Sequence, residues 1–165
     1  MKKLIIFLAA AFIFIQANAQ IERIQAAFIY NFTKYLDWPI AYRGSDFIIG
    51  VYGSDKMYQE LQKIAKIKKV GNQNIKVIKL TNVSDLQDLN MMYVSQQKKN
   101  DLPKAVKLYS DMPTVIITNN ANSRYYDINF IVKNGKQRFQ LNVASIRKKG
   151  IKIKDTLIKL AEKEQ

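Results

Sequence analysis

Apolar positions along the chain fall into two periods. Over 21–38, Ile24, Phe28, Phe32 and Leu36 recur every four residues with Ala27 and Tyr35 filling the stripe, which predicts an amphipathic helix. Pro39 is expected to end it, because the residue before a proline is pushed out of helical geometry. The run 47–52 is short and apolar, as in a buried strand, and Gly53-Ser54-Asp55 then turns and caps a helix over 56–65. Residues 75–80 alternate apolar with Lys, predicting a half-buried strand, and Ser84 with Gln87 has the spacing of a capping box on a short helical turn. Strands are expected at 90–94 and 114–118, with a helix over 102–109 starting at Pro103.

That alternation of strand and helix predicts parallel β-α-β units with helices on both faces. The last third differs. Segments 127–133 and 136–143 flank Asn134-Gly135, a type I′ hairpin signal, and a closing helix follows over 154–163. The expected fold is α/β: a three-layer sandwich with a mainly parallel sheet plus a C-terminal antiparallel hairpin and closing helix. A two-residue turn sets Phe130 opposite Phe139 and Ile128 opposite Leu141 on one face. It puts Asp127, Asn129, Arg138, Gln140 and Asn142 on the other, where Arg138 is able to bind a carboxylate or other anion. A solvated face, or Arg138 tied to Asp127, is the alternative.

The first residues follow another pattern. Lys2 and Lys3 precede twelve apolar residues and Ala17-Asn18-Ala19, the three zones of a secretory signal peptide. Twelve is well short of the roughly 20 needed to span a bilayer. The expected organisation is a cleaved signal over 1–19 and a single domain over 20–165, located in the periplasm.

Composition narrows the chemistry. The chain has no Cys and no His, which excludes disulfides, thiolate or imidazole catalysis and the common zinc sites. No carboxylate pair is marked for acid–base work, and Gly50 and Gly53 lack the spacing of a phosphate loop. No enzyme, metal or cofactor is expected. Lys and Arg number 27 against 13 acidic residues. An exported protein meets little nucleic acid, and the basic residues are mostly scattered Lys with a short run at 66–69, so a solvated basic surface is expected, attracted to an anionic membrane face rather than to nucleic acid. The opening helix crowds Phe28, Tyr30, Phe32, Tyr35 and Trp38 together, leaving Tyr30 and Tyr42 as candidates for a groove or partner interface.

The stretch Phe28-Ile29-Tyr30-Asn31-Phe32-Thr33-Lys34-Tyr35-Leu36-Asp37-Trp38-Pro39 resembles the opening signature of the YfiR-like family of exported bacterial proteins. Asp127-Ile128-Asn129-Phe130, Gly135 and Arg138-Phe139-Gln140-Leu141-Asn142 are similar to its second block, and Gly150-Ile151-Lys152-Ile153 to its ending. The resemblance implies a non-catalytic periplasmic regulator that binds the periplasmic part of an inner-membrane signalling protein, a diguanylate cyclase or sensor kinase, and so modulates cyclic-di-GMP output and biofilm formation. Partner- or ligand-binding roles fall on Arg138, Asn129, Asn142, Tyr30 and Tyr126. The motif residues Phe32, Tyr35, Trp38, Pro39, Phe130 and Phe139 read as structural. A redox switch through cysteines does not carry over, and the usual Gly-Gly before the second block is replaced by a loop over 119–126. The alternative is a periplasmic small-molecule binding protein for an anionic or aromatic ligand, its pocket at the carboxyl edge of the sheet. A homodimer is left open.

Overall fold

The computed structural model describes residues 20–85, 88–119 and 124–162. The signal segment, Gln87 of the expected capping box, part of the loop before the hairpin and the end of the expected closing helix lie outside them.

The first helix, α1, runs over 20–32, shorter than its periodicity predicts. Thr33 ends it. Its N–H and Oγ1 both donate to the Tyr30 carbonyl, at 3.1 and 2.6 Å, and Lys34 and Tyr35 repeat the tighter three-residue spacing. The chain then extends into β1 (Leu36–Asp37), so Pro39 follows a strand rather than a helix. The apolar stripe continues past the helix because Leu36 and Trp38 are buried by other means.

Seven strands form the main sheet in the order β3 (Lys69–Val70), β4 (Gln73–Leu80), β2 (Phe47–Tyr52), β5 (Met91–Val94), β6 (Val115–Asn119), β7 (Ile128–Lys133), β8 (Lys136–Leu141). The five from β4 to β7 are parallel, and β3 and β8 are antiparallel additions at the two edges. Central strands must be apolar on both faces, and β5 is: Met91 and Tyr93 enter one core, Met92 and Val94 the other. The larger core lies under α1, α2 (Asp55–Ala65), α4 (Val143–Lys148) and α5 (Asp155–Leu160), through Ile29, Met57, Ile146 and Leu157. The opposite core lies under α3 (Leu102–Leu108), where Leu102, Ala105 and Tyr109 meet Met92 and Ile116. These are the three expected layers, with the hairpin and closing helix in place.

Three local features differ from the pattern reading. Residue 143 opens α4 instead of ending a strand. Over 81–85 the side chain of Asp85 accepts from Thr81 Oγ1 and the Asn82 N–H, both at 2.9 Å, and Ser84 donates its N–H to Asn82 Oδ1, a side-chain-bonded turn that the pattern does not predict. Finally, β1 pairs antiparallel with β9 (Lys152–Ile153), tying the signature after α1 to the chain's ending.

Candidate functional site

The hairpin forms as its turn residues dictate. Asn134 and Gly135 take φ of 51° and 69°, the left-handed pair of a type I′ turn, and the register sets Phe130 opposite Phe139, Ile128 opposite Leu141 and Ile131 opposite Arg138. Phe130 and Phe139 point under α1, where Phe32 lies 5.9 and 5.0 Å from their ring centres and Phe28 packs at 6.1 and 6.0 Å. Tyr35 is half-buried against the same core. Trp38 donates from Nε1 to the Pro113 carbonyl at 2.8 Å and stands edge-on to Phe47 at 4.9 Å, and Pro39 packs beside Gly150. All the motif aromatics therefore hold the fold together.

The polar face of the hairpin is not a uniformly open surface. Asp127 is 1% exposed and accepts hydrogen bonds from the Ile116 N–H at 2.7 Å, Ser145 Oγ at 2.5 Å and Lys149 Nζ at 2.5 Å. Lys149 also donates to the Thr114 carbonyl at 2.8 Å. Asp127 is thus a buried pin between β6, β7 and α4, paired with Lys149 rather than with Arg138. Asn142 caps α4, its Oδ1 accepting from the Ser145 N–H at 3.0 Å. Asn129 is buried and donates to Gln140 Oε1 at 3.1 Å, and Tyr126 is buried just before β7. Asn129 and Asn142, read from alternation as facing outward, are therefore a buried cross-strand partner and a helix cap. Tyr30 stays half-buried on α1 with Lys34 Nζ 5.0 Å from its ring centre.

Arg138 remains at the surface, on the last strand of the sheet. Its Nε lies 3.5 Å from Glu162 Oε1, while Lys133 Nζ donates to Glu162 Oε2 at 2.7 Å. The Glu162 N–H donates to the Phe139 carbonyl at 2.8 Å, and one parallel bridge joins Glu162 to Gln140. Past α5 the chain therefore lies along the outer edge of β8 and sets one carboxylate between two cations. Among the described residues that bridge is the only strand pairing on this edge.

The carboxyl edge of the sheet, where the alternative reading expects a pocket, carries buried polar groups that sequence reasoning did not name. The strand order reverses at β2, between β4 and β5, and the carboxyl ends of β2 and β5 make the crevice where open α/β sheets bind ligands. Ser54 caps α2 by accepting from the Met57 N–H at 3.0 Å and donates to Glu22 Oε1 at 2.6 Å, fastening α1 over this end. The Tyr93 hydroxyl and Ser95 Oγ at the end of β5, and Gln25 Oε1 on α1, are buried and without a hydrogen-bond partner among the described residues, while Gln25 Nε2 donates to Gln137 Oε1 of β8 at 3.0 Å. Burial, with the Glu22 charge adding to it, holds the Tyr93 phenol well above its ordinary pKa and therefore neutral. From β5 to β8 is three interstrand spacings, about 14 Å. The carboxyl end of β5 and Arg138 therefore lie apart, with α1 reaching from one to the other: Glu22 holds Ser54, and Gln25 Nε2 donates to Gln137 Oε1, next to Arg138. Only strand order reveals the crevice, because Tyr93 reads in sequence as one apolar residue of a buried run.

A model of the YfiR/HmsC-like family matches residues 22–162, and the chain belongs to that family. It is a regulatory, non-catalytic family of periplasmic proteins in cyclic-di-GMP signalling. A search of curated proteins gave no match.

Proposed function

Taking that membership as premise, we propose that this chain is a periplasmic regulator that binds the periplasmic part of an inner-membrane signalling protein, a diguanylate cyclase or sensor kinase, through the β8 edge around Arg138. The observation that carries this reading is the edge itself. A strand end of a sheet offers a row of backbone donors and acceptors to an added strand, and here one acidic residue of the chain's own tail, Glu162, already sits on it between Lys133 and Arg138. An extended partner segment carrying a carboxylate fits the same positions. Arg138 is the direct contact, with Gln140 on the same strand and Asn129 opposite Gln140 on β7 supporting it, while Tyr126 and Asn142 act by positioning the hairpin. Tyr30 lies apart, on α1. Export through a cleaved signal over 1–19 belongs to the same proposal.

The test is affinity capture from membranes with the tagged exported protein, wild type beside Arg138→Ala. Recovery of one membrane signalling protein by the wild type, lost with Arg138→Ala in a protein whose circular dichroism is unchanged, supports both the partner class and the edge. Recovery by both proteins retires Arg138 as the contact. Recovery by neither overturns the regulator reading.

A second reading rests on the buried, unpartnered atoms of Tyr93 and Ser95 at the end of β5 and of Gln25 on α1. Buried polar groups are almost always satisfied, and a small ligand with matched polar groups would satisfy these. A metabolite released on denaturing the purified protein, and absent from Tyr93→Phe protein, supports it.

A further inference from the structure

A groove of about 780 Å³ runs between α1 and α2, on the same side of the sheet as the larger core, and adjoins the Glu22–Ser54 contact, with Arg23 following Glu22 and Lys56 two residues past Ser54. Its apolar lining is Ala26 and Ala27 from α1 and Ile64 near the end of α2, with Ile67 just past that end on the rim. Its rim carries Arg23, Lys56 and Lys63. The one acidic residue lining it, Glu60, is buried and already engaged, with Lys63 Nζ at 2.7 Å and Lys56 Nζ at 3.6 Å. The Lys63 hydrogen bond leads in holding its carboxyl below the usual range, so the lining keeps a net positive charge at neutral pH. At the rim Ile67 stands 77% exposed, flanked by the exposed Lys66 and Lys68, and Ile21 at 38% and Ile24 at 39% are exposed on α1 outside the lining of the groove. The basic run at 66–69 thus belongs to a surface that interleaves apolar ends with cations.

We propose that this face docks on an anionic phospholipid surface, with headgroup phosphates at Arg23, Lys56 and Lys63 and the isoleucine ends entering the acyl boundary. Lipid fits better than an acidic helix because the cations are mostly flexible Lys spread around the rim rather than forks fixed on one point. The most exposed apolar group also projects from the rim rather than lining a closed slot. Apolar area plus attraction to anionic headgroups is what holds interfacial proteins. Among the described residues no helix is long and apolar enough to cross a membrane, so such docking is peripheral. It requires export, which rests on the family reading, but not the contact at Arg138.

The experiment is vesicle flotation with the exported protein. Vesicles of phosphatidylethanolamine with phosphatidylglycerol are set beside vesicles of phosphatidylcholine alone. Arg23→Glu and Ile67→Ser are the test variants, because both positions are exposed and leave the Glu60 ion pairs intact. Lys136→Glu, exposed at the far edge of the sheet, makes the same change in net charge. The expected result is partition onto the phosphatidylglycerol vesicles only, reduced about tenfold by Arg23→Glu, reduced also by Ile67→Ser, and nearly unchanged by Lys136→Glu. Equal losses from Arg23→Glu and Lys136→Glu make the binding a matter of total charge and overturn the assignment. So does a lack of wild-type binding. If partner capture is instead lost with Arg23→Glu while vesicles never bind, the groove belongs to a protein partner. Capture with the wild-type protein is run alongside: failure of the wild type to recover a partner, with intact vesicle binding, removes the proposed function and leaves this inference standing.

Discussion

Lys149 shows what a buried charge in this fold does. Its side chain is 3% exposed, Asp127 opposite it is 1% exposed, and each is further bonded: Lys149 to the Thr114 carbonyl, Asp127 to Ser145 Oγ and the Ile116 N–H. A pair this dry stabilises little on balance, but removing one member leaves the other charged and unmatched. Lys149→Met keeps the side chain's length and apolar stem while stranding the Asp127 carboxylate. The expected cost is about 3–5 kcal/mol of folding stability at neutral pH, read as a lower urea midpoint with little change in slope. A loss under about 1 kcal/mol would mean that the two groups are not confined together as described. Asp127 is also the residue whose role alternation least reveals. It lies one residue before β7 rather than in the strand, its burial depends on α4 folding across it, and no local signal in 127–133 carries that.

Turns and helix ends carry the same lesson at the next scale. The hairpin was legible because its turn chemistry and its register are both local: Asn134-Gly135 fixes the pairing, and the pairing fixes the faces. The apolar runs that became β2, β5 and β6, and the capped start of α2 at Ser54, were legible for the same reason. The end of α1 was not, since Leu36 satisfies a helical stripe as well as it satisfies a strand, and what places it in β1 is pairing with Ile153, far along the chain. Two glycines separate backbone strain from lack of space. Gly53 and Gly135 both have positive φ, of 84° and 69°. Around Gly135 nothing lies within 4 Å of an added Cβ, whereas at Gly53 that atom would fall 2.5 Å from Ser95 Oγ and 2.4 Å from Lys98 Cγ. Gly135→Ala is expected to cost about 1–2 kcal/mol from the left-handed backbone alone. Gly53→Ala adds a steric cost to the same strain and should lower the thermal midpoint further. Equal losses would show that the carboxyl end of β2 is looser than this packing implies.

For the whole molecule, the sheet acts as a ruler. α2 packs against β4, near one edge, and Arg138 lies on β8 at the other. Five interstrand spacings separate β4 from β8, about 24 Å, beyond the screening length of roughly 8–10 Å at physiological salt. That distance holds for the α2 side only: α1 packs directly on the hairpin, with Phe28 and Phe32 against Phe130 and Phe139 and Gln25 Nε2 donating to Gln137 Oε1 of β8 at 3.0 Å. Independence of the α1–α2 face and the β8 edge therefore rests on Arg23 and Arg138 meeting different partners rather than on distance. A regulator built this way can rest on the membrane with one face and hold its partner's outer domain with the other. Once Lys2 and Lys3 leave with the signal, 25 basic against 13 acidic residues leave a formal charge of +12, which supplies long-range attraction to the bilayer, while the two faces would decide orientation. Independence has a definite signature. In Arg23→Glu/Arg138→Ala protein, the loss of vesicle partition should match Arg23→Glu alone and the loss of partner capture should match Arg138→Ala alone, each within about twofold when capture is done in detergent. If capture from intact membranes falls with Arg23→Glu but capture in detergent does not, the lipid face is raising the local concentration of the regulator at its partner. If the double variant instead loses more in detergent than Arg138→Ala does, the two faces are coupled through the sheet, and the picture of one rigid body bridging membrane and partner fails.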